Sequence, residues 1–310
     1  MTTTHLLSSI LLLGHLHAAD PTPAVSELQA AASSGKASAQ FQLGRAYFRG
    51  DGVAVDKAKA HEWILKSAEQ GNRDAITSMG YFYSQGVVLE KDEVKAIEWF
   101  RKGAEAGSPK SQMNLGLMLR QGKTITLNHD ESIQWLEKAA STDDADAVRT
   151  LGQLYFLGDA LQMPVPQKSI PYLTKAAEAG DPASMNMLGV AYREGHTGSI
   201  DKEQAKAWFR KAAQLGEVKA QSNLGHILGV ESPASLDRKE ALKWLLIAKE
   251  QGEATSIKTY KELLHTFPPA LLAAAQKEAN KFLIVTRAKS SKPAVFPEEK
   301  QTANDANARE

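Results

Sequence analysis

Hydrophobic and polar positions along the chain follow two helical patterns that alternate and repeat together. Apolar residues stand three and four positions apart, and a Leu-Gly or Met-Gly pair marks the first pattern of each repeat. Successive pairs begin 36, 36, 36, 37 and 36 residues apart. They lie at Leu43-Gly44, Met79-Gly80, Leu115-Gly116, Leu151-Gly152, Leu188-Gly189 and Leu224-Gly225. Self-similarity at a fixed period of this length is typical of a solenoid, in which each repeat packs against its neighbours.

Each repeat is predicted to contain two helices, named helix A and helix B. Helix A carries Leu-Gly-x-x-Tyr-x-x-Gly in its plainest copies, so that the Leu, the Tyr and a small residue four before the Leu share one face. A glycine inside a helix costs about 1 kcal/mol relative to alanine. Its recurrence therefore predicts that a large side chain of helix B approaches the backbone at that point.

Helix B is predicted to begin at a capping residue and to contain an aromatic residue seven positions later. Asp or Asn occupies five of the six capping positions, where its side chain can accept a hydrogen bond from a free backbone N–H. The capping column is Asp56, Asp92, Asn128, Val165, Asp201 and Asp237, and the aromatic column is Trp63, Trp99, Trp135, Tyr172, Trp208 and Trp244. We expect the aromatic column to lie in the core.

These patterns predict an all-α fold, a right-handed α/α superhelical solenoid of helix-turn-helix repeats. Residues 20–35 form a linker and an N-terminal half-repeat cap, and six repeats follow at 36–71, 72–107, 108–143, 144–180, 181–216 and 217–252. Residues 253–287 form a C-terminal half-repeat and a capping helix, because terminal repeats need a polar outer face. Residues 288–310 have little to bury, which predicts a disordered tail.

The fourth repeat departs from the pattern. It contains the extra residue, and Pro164, Pro166 and Pro171 stand around the expected start of its helix B. Pro166 can begin a helix, whereas Pro171 would break it about one turn later. We therefore expect this helix to start late or to be kinked, either through a simple drift in length or as a bend in the superhelix.

Residues 1–19 resemble a secretory signal peptide. The segment 6–16 is apolar, and Ala18 and Ala19 supply the small residues of a cleavage site, although the segment contains no Lys or Arg. We predict a periplasmic or secreted protein, with a cytoplasmic location as the alternative. The chain contains no cysteine, so it can form neither a disulfide nor a Cys-linked lipid anchor.

The charge distribution argues against nucleic acid as a partner. The chain has 37 basic and 36 acidic residues, a net charge of +1, and no basic stripe. No run approaches the roughly 18 consecutive apolar residues that indicate a transmembrane helix. We expect a monomer that has no transmembrane segment and binds a protein or peptide.

Together, the Leu-Gly, capping, aromatic and turn-glycine columns resemble the Sel-one-like repeat family, a branch of the tetratricopeptide-like α/α solenoids. The resemblance covers about residues 26–265, and it departs where Leu119 and Leu228 replace the Tyr. It implies an adaptor or scaffold for other proteins, often in bacterial envelope or signalling assemblies, and no shared catalytic residues. Some secreted bacterial members are rich in cysteine and have been linked to penicillin binding, but this chain lacks those cysteines.

The sequence contains only incomplete matches to known catalytic and phosphate-binding motifs. Residues 33–36 and 199–202 both match Ser-x-x-Lys, but no Lys-Thr-Gly accompanies them. Residues 122–124 (Gly-Lys-Thr) lack the upstream glycine of a phosphate-binding loop, and His61-Glu62 lacks the second His of a zinc-protease helix. We therefore predict no catalytic residue, no cofactor and no metal site.

We expect a partner to bind on the face of helix A opposite the Leu and Tyr, which lines the inner surface in tetratricopeptide proteins. At offsets −2, −1, +2 and +5 from the Leu, this face mixes Asn, Gln and Arg with Phe, Tyr and Met. The predicted partner-binding residues are Phe41, Arg45, Phe48, Tyr81, Asn114, Arg120, Arg149, Asn186, Arg193 and Asn223. As alternatives, the aromatic residues pack against the neighbouring helix and the arginines are simply solvated.

The sequence thus favours a non-catalytic scaffold or adaptor that binds a peptide or protein in a concave helix-A groove, in the bacterial envelope. One alternative is a secreted enzyme of the penicillin-binding or β-lactamase-like type, which covalent β-lactam labelling dependent on Ser33 or Ser199 would favour. Another is an intracellular signalling scaffold, which an intact N-terminus in the mature protein would favour.

Overall fold

The computed structural model describes residues 25–121, 128–158, 163–230 and 235–290. Within these ranges the chain contains fifteen α-helices, a 3₁₀ helix at Leu264–Thr266 and no strand. The α-helices, α1 to α15, are Val25–Ser33, Ala37–Arg49, Lys57–Glu69, Arg73–Gln85, Glu93–Glu105, Pro109–Gln121, His129–Ala140, Ala145–Leu157, Pro166–Glu178, Pro182–Glu194, Lys202–Gln214, Val218–Val230, Ser235–Glu250, Ala254–Leu263 and Pro269–Ser290. From α1 to α14 each helix packs on the next, and α15 packs on α13, so the chain is an all-α repeat solenoid. The predicted signal peptide lies outside the described residues.

Helices A and B alternate through the solenoid. The helices A are α2, α4, α6, α8, α10 and α12, each packed against the helix B that follows it, and α14 takes the position of a further helix A. Helices A of neighbouring repeats also contact each other directly, as at α4/α6, α6/α8 and α8/α10, whereas contacts between successive helices B are sparser. The helices A therefore share the inner side of the stack.

Side-chain caps begin most helices B. The capping residues Asp56, Asp92, Asn128 and Asp201 each accept a hydrogen bond of 2.9–3.1 Å from the backbone N–H three residues later, as predicted. The prediction for Asp237 is wrong, because α13 already begins at Ser235 and Asp237 lies inside its first turn. Asn72, Asp144 and Asp181 make similar caps on helices A, which the sequence pattern did not predict.

The glycine of each Leu-Gly pair lies against the residue that follows the aromatic position of helix B. A Cβ atom on Gly189 would lie 2.5 Å from Cδ1 of Phe209, and one on Gly80 would lie 2.6 Å from Phe100. The corresponding pairs elsewhere are Gly44/Ile64, Gly116/Leu136, Gly152/Leu173 and Gly225/Leu245. The predicted close approach is confirmed, and only glycine leaves room for it.

The aromatic column itself lies at the edge of the core, contrary to the prediction. Trp63, Trp99, Trp135, Tyr172 and Trp208 are half-buried, and Trp244 alone is fully buried. A lysine three residues later places its ammonium 4.2–5.0 Å from the ring centroid in four repeats, as Lys66 on Trp63, Lys102 on Trp99, Lys138 on Trp135 and Lys211 on Trp208. The indole thus packs inward with one face and holds a cation with the other.

The irregular fourth repeat keeps the regular helix length. Helix α9 has 13 residues, with Val165 at the capping position, Pro166 as its first residue and Pro171 inside it. The predicted late start is wrong. Pro166 lacks an N–H that would be unpaired at a helix start anyway. Pro171, the sixth residue of the helix, removes one backbone hydrogen bond, yet the helix continues to Glu178.

Terminal helices cover both ends of the stack. Helix α1 packs on α2, and α15 packs on α13, where Trp244 and Phe282 meet edge to face at 5.2 Å between centroids. Lys239 and Glu278 add an ion pair of 2.5 Å across the same contact. Helix α15 extends to Ser290, beyond residue 287, where the sequence analysis ended the capping helix.

Candidate functional site

The candidate site is the inner face of the helices A, called the A-face below and defined by the offsets −2, −1, +2 and +5 from the Leu of each Leu-Gly pair. Most of its side chains are half-buried, because neighbouring helices A lie against each other; Gln42 and Arg45 are exposed. In order of offset, its residues are Phe41, Thr77, Met113, Arg149, Asn186, Ser222; Gln42, Ser78, Asn114, Thr150, Met187, Asn223; Arg45, Tyr81, Leu117, Gln153, Val190, His226; and Phe48, Ser84, Arg120, Phe156, Arg193, Gly229.

The predicted aromatic residues gather at the first two repeats. Phe48 stacks on Phe82 of the next helix A, with ring centroids 5.6 Å apart. Phe41, Phe48 and Tyr81 all pack around a core cluster that contains Phe82 and Met79. The packing alternative therefore holds for these rings, while their remaining exposed edges still form part of the A-face.

Arg45 is the most accessible charged residue of the A-face. Its guanidinium carbon lies 5.7 Å from the centroid of the Phe41 ring. Partial desolvation, followed by the positive charge of Arg49, lowers the pKa of Arg45, while Asp51 and Asp74 act in the opposite direction. Arginine stays protonated at neutral pH despite such a shift, so Arg45 presents a cation on an aromatic support.

Asn114 and Arg149 are half-buried and bonded within their own helices. Asn114 Nδ2 donates to the carbonyl oxygen of Lys110 at 2.8 Å, and Arg149 Nη2 donates to Asp146 Oδ1 at 2.7 Å. The side chains of Arg149 and Asp146 are 37% and 39% exposed. A pair of this exposure contributes little to stability, so Asp146 does not prevent Arg149 from binding another carboxylate.

Arg120 does not belong to the accessible surface, which corrects the sequence prediction. It is only 6% exposed, and its Nη1 lies 2.9 Å from Nδ1 of His129 at the start of α7. Because a guanidinium only donates hydrogen bonds, His129 accepts through Nδ1. Arg120 therefore joins helix A to helix B within the third repeat.

Asn186, Arg193 and Asn223 come together across the fifth and sixth repeats. Asn186 is only 8% exposed and, like Arg120, does not belong to the accessible surface that the sequence predicts. Asn223 Nδ2 donates to Asn186 Oδ1 at 2.9 Å, and Arg193 Nη1 donates to Asn223 Oδ1 at 3.4 Å. Arg193 Nη2 also donates to Glu194 Oε1 at 3.2 Å, and its guanidinium lies 5.8 Å from the Phe209 centroid. Because both polar atoms of the Asn223 amide are bonded, its orientation is fixed and Arg193 is held at the surface.

A second polar cluster, which sequence reasoning missed, lies between the third and fourth repeats. Tyr155 OH donates to Glu137 Oε1 at 2.8 Å, and the Tyr155 ring stacks on Tyr172 at 6.0 Å between centroids. Burial, followed by the hydrogen bond to Glu137 and its charge, raises the pKa of Tyr155 above its ordinary value. A polar cavity of about 370 Å³, also lined by Lys168, adjoins the pair. A protonated tyrosine bonded to a carboxylate is a stable structural pair.

The repeat pattern did not predict the contact between Glu137 and Tyr155. Glu137 stands two residues after the aromatic position, where the second and fifth repeats have Arg101 and Arg210 instead. Its partner Tyr155 belongs to the regular tyrosine column of helix A, which predicts core packing alone. Only the three-dimensional contact shows that the two meet.

The two Ser-x-x-Lys fragments lie in different parts of the described chain. Ser33 lies at the end of α1 and Ser199 before α11, both exposed, and residues 122–124 lie outside the described ranges. Among the described residues, no group of three or more His, Asp or Glu is placed to hold a metal ion. No described helix is both long enough and apolar enough to cross a membrane.

Comparison with known proteins adds family evidence to this geometry. The sequence profile of the Sel1 repeat matches residues 37–72, 73–108, 109–144, 145–181, 182–217 and 218–253. No curated protein matches the chain.

Several solved structures are similar to this chain, and two of them are 28% and 29% identical to it. One is a protective antigen present in uropathogenic Escherichia coli strains that displays an SLR fold; it is 28% identical with a TM-score of 0.71, over 90% of this chain and 61% of that one. The chain therefore spans less than two thirds of that relative's length. The other is a Sel1 repeat protein from Oxalobacter formigenes, 29% identical with a TM-score of 0.57, over 73% of this chain and 99% of that one.

Proposed function

Because the chain belongs to the Sel1 repeat family, whose members generally mediate protein–protein interactions, we propose that it is a non-catalytic scaffold that binds a protein or peptide on the A-face. The Sel1 repeat solenoid is typically such an interaction scaffold. The A-face is the side on which successive helices A adjoin, so a single extended partner can contact several repeats at once.

The observation that carries this proposal is the hydrogen-bonded set of Asn186, Asn223 and Arg193. The fold does not require these residue types, since several corresponding positions of other repeats hold Phe, Thr, Met, Ser or Gly instead. The set nevertheless fixes a guanidinium at the surface between two repeats. Arginine held in place by neighbours loses less side-chain freedom on binding a carboxylate or a backbone carbonyl.

The proposal includes export to the bacterial envelope or the medium. It is supported by the signal-like residues 1–19, which lie outside the described ranges, and by the Escherichia coli relative, which is a protective antigen. N-terminal sequencing of the mature protein tests this part. A chain beginning at Ala19 or Asp20 supports export, and a chain beginning at Met1 or Thr2 contradicts it.

Affinity capture from envelope extract tests the binding surface. We expect the variant Asn114→Ala/Arg149→Ala to lose the partner that the wild-type chain recovers. The matched control is Glu98→Ala/Gln134→Ala, a double change at exposed positions of two helices B, which should recover the partner in full. Equal recovery by both variants would contradict binding on the A-face, provided that both melt cooperatively.

A further inference from the structure

The charged residues at the offsets that define the A-face are all arginine, although Asp146 and Glu194 lie beside two of them. Among its 24 positions four are arginine and none is Asp or Glu, although the whole chain has 37 basic and 36 acidic residues. Arg120 is turned into the structure, which leaves Arg45, Arg149 and Arg193. Arginines repeated along a binding surface favour a partner that carries acidic groups, both in the rate of encounter and in the rejection of wrong partners.

The three arginines retain capacity to bind an acidic group. Arg149 and Arg193 each have one carboxylate neighbour on their own helix, Asp146 at 2.7 Å and Glu194 at 3.2 Å, and these side chains are 26–46% exposed. A guanidinium has five N–H donors in a fork that matches a carboxylate. Each of the two therefore keeps donors beyond its intramolecular bonds.

Arg45 lies at the other end of the face and is exposed, so a carboxylate of a partner can reach it. The Phe41 ring beneath the guanidinium fixes its direction. Desolvation and Arg49 lower the pKa of Arg45, and the charges of Asp51 and Asp74 act in the opposite direction.

The spacing of the cations indicates an extended ligand. Arg45 belongs to the first helix A and Arg193 to the fifth. Packed helices lie roughly 8–10 Å apart, so the four steps between them span on the order of 35 Å. An extended chain advances about 3.3 Å per residue and covers that length with roughly a dozen residues.

We propose that the partner segment bound on the A-face is an extended acidic stretch of about a dozen residues. Its Asp or Glu side chains meet Arg45 near one end and Arg149 and Arg193 near the other. The inference rests on the proposed function, because it names the chemistry of the partner for that same surface.

Selection from a phage-displayed random dodecapeptide library on the full chain tests the proposal. We expect the wild-type chain to select peptides enriched in Asp and Glu, and the variant Arg45→Gln/Arg149→Gln/Arg193→Gln to lose that enrichment. The variant Lys102→Gln/Lys138→Gln/Lys211→Gln removes the same number of charges from the helices B and should keep the enrichment. Replacing Asp and Glu by Asn and Gln in the best peptide should weaken its binding about tenfold or more.

The possible results separate this inference from the proposed function. Peptides that need the A-face but show no acidic enrichment would overturn the inference and leave the proposed function standing. Acidic enrichment that persists in the triple arginine variant would also overturn it. If no selected peptide depends on the A-face, both proposals fail. Arg45→Gln alone, at an exposed position, gives the same comparison if the triple variant does not fold.

Discussion

Asn223 on α12 donates a 2.9 Å hydrogen bond to Asn186 on α10, and this bond joins the helices A of two successive repeats. Asn186 is only 8% exposed, so its amide oxygen depends on this partner. The same Asn223 accepts from Arg193, at 3.4 Å. One side chain thus serves both the stacking of the repeats and the surface on which we expect a partner.

Asn223→Ala should lower the free energy of unfolding by about 1–3 kcal/mol, because it leaves the buried Asn186 oxygen without its donor. Asn114→Ala is the matched control in the same column, since its amide donates to the Lys110 carbonyl of its own helix. We expect the control to change stability by less than about 0.5 kcal/mol. Urea denaturation followed by circular dichroism measures both, and equal losses would show that the link between the repeats has no energetic role.

Gly189→Ala should destabilise the fold by about 1–3 kcal/mol, because the new Cβ would lie 2.5 Å from Phe209. In an open helix the same change would stabilise by about 1 kcal/mol, so the sign of the effect is informative. Phe209→Leu in the same chain should offset part of the loss, whereas the distant Phe100→Leu should simply add to it. A stabilised Gly189→Ala variant would contradict the close approach of the two helices.

The stability of the third and fourth repeats should fall at high pH through Tyr155. The phenol ionises near pH 10 in the unfolded chain, whereas the folded pKa of Tyr155 is raised by burial and by Glu137. The unfolded state therefore loses its proton first, and stability declines as the pH rises above about 10, by at most about 1.4 kcal/mol per unit.

Tyr155→Phe should remove this part of the pH dependence. The difference in unfolding free energy between the wild-type chain and the variant should then shrink as the pH rises from about 9 to 11. Urea denaturation at a series of pH values measures it. A difference that stays constant across that interval would contradict the buried, protonated Tyr155.

Arg210 on α11 donates two hydrogen bonds, of 2.9 and 2.8 Å, to the Glu240 carboxylate on α13. Trp244 Nε1 donates a third to the same carboxylate at 3.2 Å. Burial alone would raise the pKa of Glu240, but the hydrogen bonds from Arg210 and Trp244 outweigh it and the pKa is lowered. This contribution to stability is complete above the ordinary glutamate pKa of about 4.3 and is lost as the pH falls through the lower folded value.

A double-mutant cycle on Arg210→Met and Glu240→Gln should give a coupling of about 1 kcal/mol at neutral pH, since the pair is bidentate and half-buried. The coupling should vanish in acid. The cycle on Lys66 and Glu62, an exposed pair within one helix, should give only about 0.3–0.5 kcal/mol. Equal couplings at the two sites would show that the contact between repeats is no stronger than a surface pair.

The repeat period predicts which residues share a role, and it predicts less about which way each side chain points. Trp63 and Ile64 are adjacent and both apolar, so periodicity did not decide which one enters the core; the helix-A glycine selects Ile64. Asp143 keeps the backbone conformation of its column: it adopts φ 64°, a left-handed conformation, at a position where most other repeats have glycine.

The candidate site was predictable as a set of columns and not as a set of contacts. The offsets from Leu188 place Asn186 and Arg193 on one face, but their common partner Asn223 lies 37 residues from Asn186, in the next repeat. Arg120 has the same offset as Arg193, yet it turns inward to His129 at the start of α7. The direction of each side chain depends on residues of neighbouring helices, which the spacing along the sequence does not specify.

Photo-crosslinking tests the A-face account most directly. A benzophenone amino acid replaces Tyr81 or Met187 on the A-face, or Val94, an exposed apolar residue of helix α5, in cells that contain the native partner. We predict a discrete adduct from both A-face positions and none from Val94. An adduct from Val94 with none from either A-face position would contradict the account.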